Sequence, residues 1–182
     1  MSGRQAGRLR RAEIGMTTVT GERFREGMRR LGAAVHIVAT AGPGGRSGFT
    51  ASAACPVTDE PPMLLVCLNR SSGLNAAFRA NGVLSVNTLA AGHEAISDVF
   101  AGRAGADLDA RFEHGVWTEL VTGAPILCDS LASFDCELAE IKEVGTHSVM
   151  FGAVRAVRLS EPGGAPALLY LNRGYRRLAL QD

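Results

Sequence analysis

The chain has 182 residues, 46% hydrophobic and 20% charged, with 19 basic against 18 acidic side chains. That is enough apolar sequence for one sizeable core, and the balanced charge excludes a largely disordered chain. No apolar run approaches the roughly 20 residues of a membrane span, and with Lys142 as the only lysine a Gly-Lys-Ser/Thr phosphate loop is excluded.

From the N-terminus, Arg4, Arg8, Arg10 and Arg11 precede the first acid, Glu13, and no apolar run follows them to make a secretion signal. Residues 1–19 therefore read as a disordered basic segment ahead of one domain over 20–182. Without those four arginines the body carries 15 basic and 18 acidic residues, which argues against nucleic acid as a partner. Thr20 can cap a first helix with Phe24, Met28 and Leu31 on one stripe, ended by Gly32. Residues 35–40 are rich in β-branched side chains and predict a strand. Gly42-Pro43-Gly44-Gly45 is turn chemistry leading into an extended stretch over 47–53.

After Pro61-Pro62, the continuous apolar run 63–68 predicts a strand buried on both faces. Ser71 or Ser72 can cap a helix reaching Asn81, with Leu74, Ala77 and Phe78 on one side and Gly82 as terminator. Residues 83–89 predict a strand and 94–100 a helix. From Ser133 onward Phe134, Cys136 and Leu138 alternate with Asp135, Glu137 and Ala139, the pattern of a strand with one wet face. A turn at Val144-Gly145 pairs it with a long strand over 147–159, and 167–171 gives a short last one. Six or seven strands with two or three helices, without βαβ alternation, predict a mainly β domain: an antiparallel barrel or sandwich with peripheral helices.

Cys55, Cys67, Cys128 and Cys136 have no Cys-x-x-Cys spacing, and the histidines at 36, 93, 114 and 147 are scattered. No metal site is expected, and the thiols read as buried cysteines of a reducing cytoplasm. The segment Gly42–Gly48 has Ser47 where a dinucleotide fingerprint needs its third glycine, so it reads as a hairpin turn. Residues 48–62 are dominated by small and hydroxyl side chains. Such backbone can lie against a flat ring and donate main-chain N–H groups to it, or can simply pack a strand end against a neighbour. Asn69-Arg70-Ser71-Ser72-Gly73-Leu74-Asn75 follows a strand and opens a helix; it can cap that helix, meet an anion, or do both. His147 at the start of a strand reads as a surface or structural residue from its context alone. A Ser-His-Asp hydrolase has no Gly-x-Ser-x-Gly elbow behind it.

Taken together, Gly48-Phe49-Thr50-Ala51-Ser52-Ala53, Val57-Thr58-Asp59-Glu60-Pro61-Pro62, Cys67-Leu68-Asn69 with Ser72 and Asn75, Ser85-Val86-Asn87, Ser133-Phe134 and Gly145-Thr146-His147 resemble the flavin reductase family. The resemblance runs in order over about residues 20–178 and is nearest to the small reductase components of two-component flavin-dependent monooxygenases. It implies a Greek-key-like, FMN-binding split β-barrel, a cytoplasmic homodimer, and transfer of hydride from NADH (or NADPH) to FMN (or FAD). The reduced flavin would serve a separate monooxygenase. By the same resemblance Thr50, Ala51, Ser52, Ala53 and Ala54 would border the flavin ring and ribityl chain. Cys67, Leu68, Asn69, Ser72 and Asn75 would approach the ribityl and phosphate, with Asn87 nearby. His147 would position the nicotinamide. Tyr175 falls at the relatives' C-terminal aromatic, which they follow with His where this chain has Arg176. Mostly uncharged contacts, Arg70 apart, suit a flavin that must leave. Two other roles stay open: an oxidoreductase with a fixed flavin and another substrate, and a flavin- or haem-binding module without turnover.

Overall fold

The computed structural model describes residues 18–102, 107–161 and 165–179. The basic head over 1–17 lies outside the described residues. The first helix, α1 (Gly21–Met28), is capped by Thr20, whose hydroxyl accepts from the Arg23 amide at 3.2 Å. Among the described residues its apolar stripe is left largely uncovered: Phe24 and Leu31 are each 60% exposed.

Strands β1 (Ala33–Ala34) and β2 (His36–Thr40) lead through the glycine turn into β3 (Ser47–Ala51), and β4 (Ala54–Asp59) and β5 (Pro62–Asn69) follow. Next come α2 (Asn75–Asn81), β6 (Val83–Thr88), α3 (Glu94–Phe100) and a 3₁₀ turn at Ala110–Glu113. The short pair β7 (Trp117–Thr118) and β8 (Ile126–Leu127) precedes the long hairpin of β9 (Ala132–Val144) and β10 (His147–Leu159). A second hairpin, β11 (Ala167–Leu171) and β12 (Gly174–Leu178), ends the described fold.

Seven strands form one antiparallel sheet in the order β3-β2-β6-β9-β10-β5-β4. Laid flat, its edges would stand about 29 Å apart at about 4.8 Å per strand. Yet the two edge strands, β3 and β4, are joined only by Ser52 and Ala53, a link that reaches about 11 Å. The sheet must curl, and it remains split where β3 and β4 do not pair. The interior confirms the curl, since Phe49 and Ala51 of β3 share one cluster with Leu64, Val66 and Leu68 of β5. Phe78 of α2 is fully buried and closes one end, edge-on to Phe49 at 5.6 Å. A second core lies outside the barrel wall, where Ile37 and Ala39 of β2 meet Ile96, Val99 and Phe100 of α3.

Four expectations are corrected. Strand β5 alternates rather than burying both faces: Leu64, Val66 and Leu68 point inward, while Met63, Leu65 and Cys67 are half-buried outside. Helix α2 starts at Asn75, after a turn in which Ser72 Oγ accepts from the Leu74 amide. Asp135 is not on a wet face; it is fully buried, accepting from the Val121 and Thr122 amides at 2.7 and 2.9 Å. Finally, Cys55 is exposed rather than buried. Among the described residues no helix is long and apolar enough to cross a membrane.

Candidate functional site

The site grows from the outward face of β3. Phe49 and Ala51 turn inward to fill the barrel, which leaves Thr50 facing α3. Its hydroxyl donates to the Ser97 carbonyl at 2.6 Å. The helix packs close because residue 48 is glycine: a Cβ there would stand 2.8 Å from the Phe100 ring. From β12, the Tyr175 hydroxyl donates to Asp98 Oδ1 at 2.7 Å and lies 3.0 Å from Ser97 Oγ, whose own proton it can accept. Tyr175 and Thr50 are thus fixed to the same helical turn. Between them is a hollow of about 170 Å³.

That hollow continues in both directions. It shares Thr50 with a space of about 420 Å³ bordered by Leu68, Ser72, Gly73 and Arg111. On the other side it shares Ser52 and Tyr170 with one of about 670 Å³ beside α1, bordered by Arg25, Arg29 and Arg173. Together they form a groove on the scale of a nucleotide site. The amides of Ser52 and Ala53, in the link between the split edges, have no acceptor among the described residues. These donors, beside the half-apolar wall of Val35, Ala51 and Tyr170, fit a flat ring with carbonyl oxygens on its rim.

Of the residues marked out by sequence, Thr50, Ala51, Ser52, Ala53, Leu68, Ser72 and Tyr175 line this groove. Asn69 and Asn75 shape it indirectly. Asn75 Nδ2 donates to the carbonyls of Asn69 and Ser72, each at 2.9 Å, and closes the turn that presents Ser72. Cys67 points to the opposite side of β5 from Leu68, where burial pushes its thiol pKa up. Ala54 lines a separate apolar hollow with His36 and Phe134. Asn87 is fully buried, and its amide is spent on Ile37, Ser85, Leu127 and Ser133. It has no capacity left for a ligand. His147 is exposed on β10 opposite Asn69, with Nδ1 3.0 Å from Thr146 Oγ1, and lines none of the three hollows.

The expectation of an almost uncharged site is corrected by the fold. Arg111, 63 residues beyond Gly48, donates through one terminal nitrogen to the Gly48 and Phe100 carbonyls, at 3.2 and 3.3 Å. Its Nε is buried without a partner, and it meets no carboxylate among the described residues. No local motif marks Arg111; only the packing of the 3₁₀ turn on α3 brings it to the groove. Arg70, the one basic residue sequence placed here, is occupied instead by Glu143 at 3.0 Å. Glu143 also holds Arg79 and accepts from Ser148.

The chain matches the family described as flavin reductase like domain over residues 28–179. It is 53% identical over 156 residues to "FMN reductase (NADH) RutF" of Variovorax paradoxus, covering 86% of this chain and 84% of that protein. A protein of the same description from Ancylobacter novellus is 54% identical over 161 residues, covering 88% of this chain and 87% of the relative. Among solved structures, nitrilotriacetate monooxygenase component B from Mycobacterium thermoresistibile is 26% identical with a TM-score of 0.78, and the likeness covers 86% of each chain.

Proposed function

This chain belongs to the flavin reductase family, and from that premise we propose that it reduces FMN with NADH and releases the product to a separate flavin-dependent monooxygenase. The observation that carries this reading is the groove itself: Thr50, Ala51, Ser52, Ser72 and Tyr175 meet along one surface whose link offers two unspent backbone donors. Relatives above half identity are named for FMN and NADH, which favours these over FAD and NADPH. The monooxygenase partner is inferred from component B, whose name makes it one part of such a system.

FMN bound here would supply the acceptor for the hydride of NADH. The chain's own contribution is position and polarity. The Ser52 and Ala53 amides would donate to the ring's carbonyl edge and stabilise negative charge arising there. Thr50 and Tyr175, both fixed on α3, would keep the floor and wall of the groove rigid. Ser72 and Arg111 would face the flavin's phosphate end. Arg111 is already engaged by two carbonyls, so this cation adds charge without a full bidentate clasp, in keeping with a flavin that leaves. His147 would orient the nicotinamide from the rim of the barrel.

The working unit is a homodimer in this reading. The exposed stripe of Phe24, Met28 and Leu31 and the half-buried outer face of β5 are the surfaces a second copy would cover. We place the domain at 20–182 and the protein in the cytoplasm, in keeping with four free thiols. The test is NADH oxidation by dialysed protein, with and without added FMN, FAD or riboflavin, and with NADPH as the alternative donor. Turnover that depends on added FMN and prefers NADH is the expected result. Flavin retained through dialysis, with no response to added flavin, would point to a fixed prosthetic group. Bound ligand without NADH oxidation would overturn the enzyme reading.

A further inference from the structure

The turn joining β11 and β12 is a two-residue hairpin, with Leu171 paired to Gly174 across it. Both central residues have positive φ, 51° at Asn172 and 63° at Arg173. Asparagine tolerates this region through its short polar side chain, but the second position of such a turn belongs to glycine. Here the glycine comes one residue late, at 174, and an arginine holds the strained place. Strain of this kind persists where the side chain has a use, and it concentrates at ligand sites.

The surroundings suggest the use. The Asn172 amide donates to the Arg29 carbonyl at 2.8 Å, which seats the turn against the end of α1. Arg173 thereby borders the wide end of the groove with Arg25, Arg29, Glu22, Glu26 and Ser52. Glu26 is taken by Arg29 and Arg30. Arg29 keeps a buried Nε without a partner, and Arg173 has no ion pair or hydrogen bond among the described residues. Three guanidiniums therefore face two carboxylates at a place where the groove is open and a nucleotide's anionic part would project.

We propose that Arg173 is an anion-binding residue of the groove, contacting a phosphate of one of the two nucleotides, and that its strained backbone is retained for this contact. The proposal rests on the groove being where flavin and nicotinamide nucleotides meet. In that reading Ser72 and Arg111 take the FMN phosphate at the far end of the groove, so the phosphate oxygen met by Arg173 belongs to the diphosphate of NADH.

Arg173→Gly separates strain from function, because glycine relieves the backbone and removes the guanidinium together. The expected result is a melting temperature raised by about 2–6 °C with a KM raised about tenfold for NADH and kcat changed less than threefold. KM for NADH rises with either FMN or riboflavin as acceptor, and inhibition by inorganic pyrophosphate is lost. A variant that instead stops distinguishing FMN from riboflavin, with KM for NADH unchanged, would place the FMN phosphate at this end and overturn the assignment. Arg173→Lys keeps the charge and should recover most of the affinity without the gain in stability. Unchanged KM values for both nucleotides overturn the proposal, and so does a lower melting temperature, which would make Arg173 a support of the hairpin. A wild-type protein that fails to oxidise NADH with added flavin overturns the functional reading instead, so the two failures are distinct.

Discussion

Thr50 and Asn87 stand in one cross-strand row on the barrel wall, on either side of Ile37, which pairs with Thr50 on β3 and with Asn87 on β6. Both are polar residues on the outward face, and the fold treats them oppositely. Asn87 is roofed by residues 125–127 and has every donor and acceptor filled. Thr50 is held on one flank by α3 and opens on the other to the groove. The difference lies in what covers each position rather than in the residue type. A polar group whose capacity is spent inside the chain is architecture, and one beside unspent donors is available to a ligand.

Breaking the two halves of that row should give different phenotypes, and the largest effect belongs to Asn87. Asn87→Ala strands the Leu127 amide in a dry setting, takes one acceptor from the Ser133 hydroxyl and leaves a cavity, at a cost of about 3–4 kcal/mol. Urea unfolding should show the loss, while KM values of the surviving folded protein stay near wild type. Thr50→Val should cost about 1 kcal/mol and show itself in KM for FMN instead. If the two variants exchanged phenotypes, the division between architecture and site would fail.

Next in size is a pH effect one residue along β2. Burial lowers the His36 pKa from 6.5 to about 4, and its Nδ1 lies 3.1 Å from Thr88 Oγ1. The unfolded chain takes up the proton first, so the stability from keeping His36 neutral is complete above pH 6.5 and lost as pH falls toward 4. The swing is about 3 kcal/mol. Denaturation midpoints measured across that range should fall steeply in the wild type and more gently in His36→Gln.

Regular patterns made much of this legible. Residues 35–40, 83–89 and 147–159 announce strands because their wall positions are apolar or β-branched. Thr50 and Asn87 each stand out in the sequence, but neither the row that joins them across Ile37 nor its division is legible there. The roof over Asn87 and Asp135 comes from residues 121–127, and no local period records where that segment will lie. Strand β4 merges in the sequence with a small-residue segment, because Ala-Cys-Pro-Val-Thr-Asp has few β-branched residues and contains Pro56, which an edge strand tolerates. Strand β12 hides likewise behind Arg176 and Arg177, the charges that edge strands favour. Arg111 enters the groove by long-range packing alone.

Within the groove, Tyr175→Phe tests whether β12 is a working wall. The change removes the hydroxyl from Asp98 and Ser97 while keeping the ring over the hollow. It should cost about 1–2 kcal/mol of stability and raise KM for NADH about three- to tenfold, with FMN affinity less affected. A KM unchanged for both substrates would assign Tyr175 to the architecture, alongside Asn87.

The smallest expected effect is at His147, and it tests how far the site extends. His147 is exposed, its Nδ1 meets Thr146 Oγ1, and it lies opposite Asn69, whose turn presents Ser72 to the groove. Because its side chain is exposed, His147→Ala should leave stability within about 0.5 kcal/mol of wild type. As an orienting residue for the nicotinamide it should raise KM for NADH about two- to fivefold and leave flavin affinity unchanged. That split is the informative quantity, because turn distortion through Asn69 would weaken FMN as well. Loss of flavin binding would make His147 part of the flavin site. Unchanged kinetics would confine the site to the Thr50 side of the barrel, with the barrel rim at β10 serving only as support.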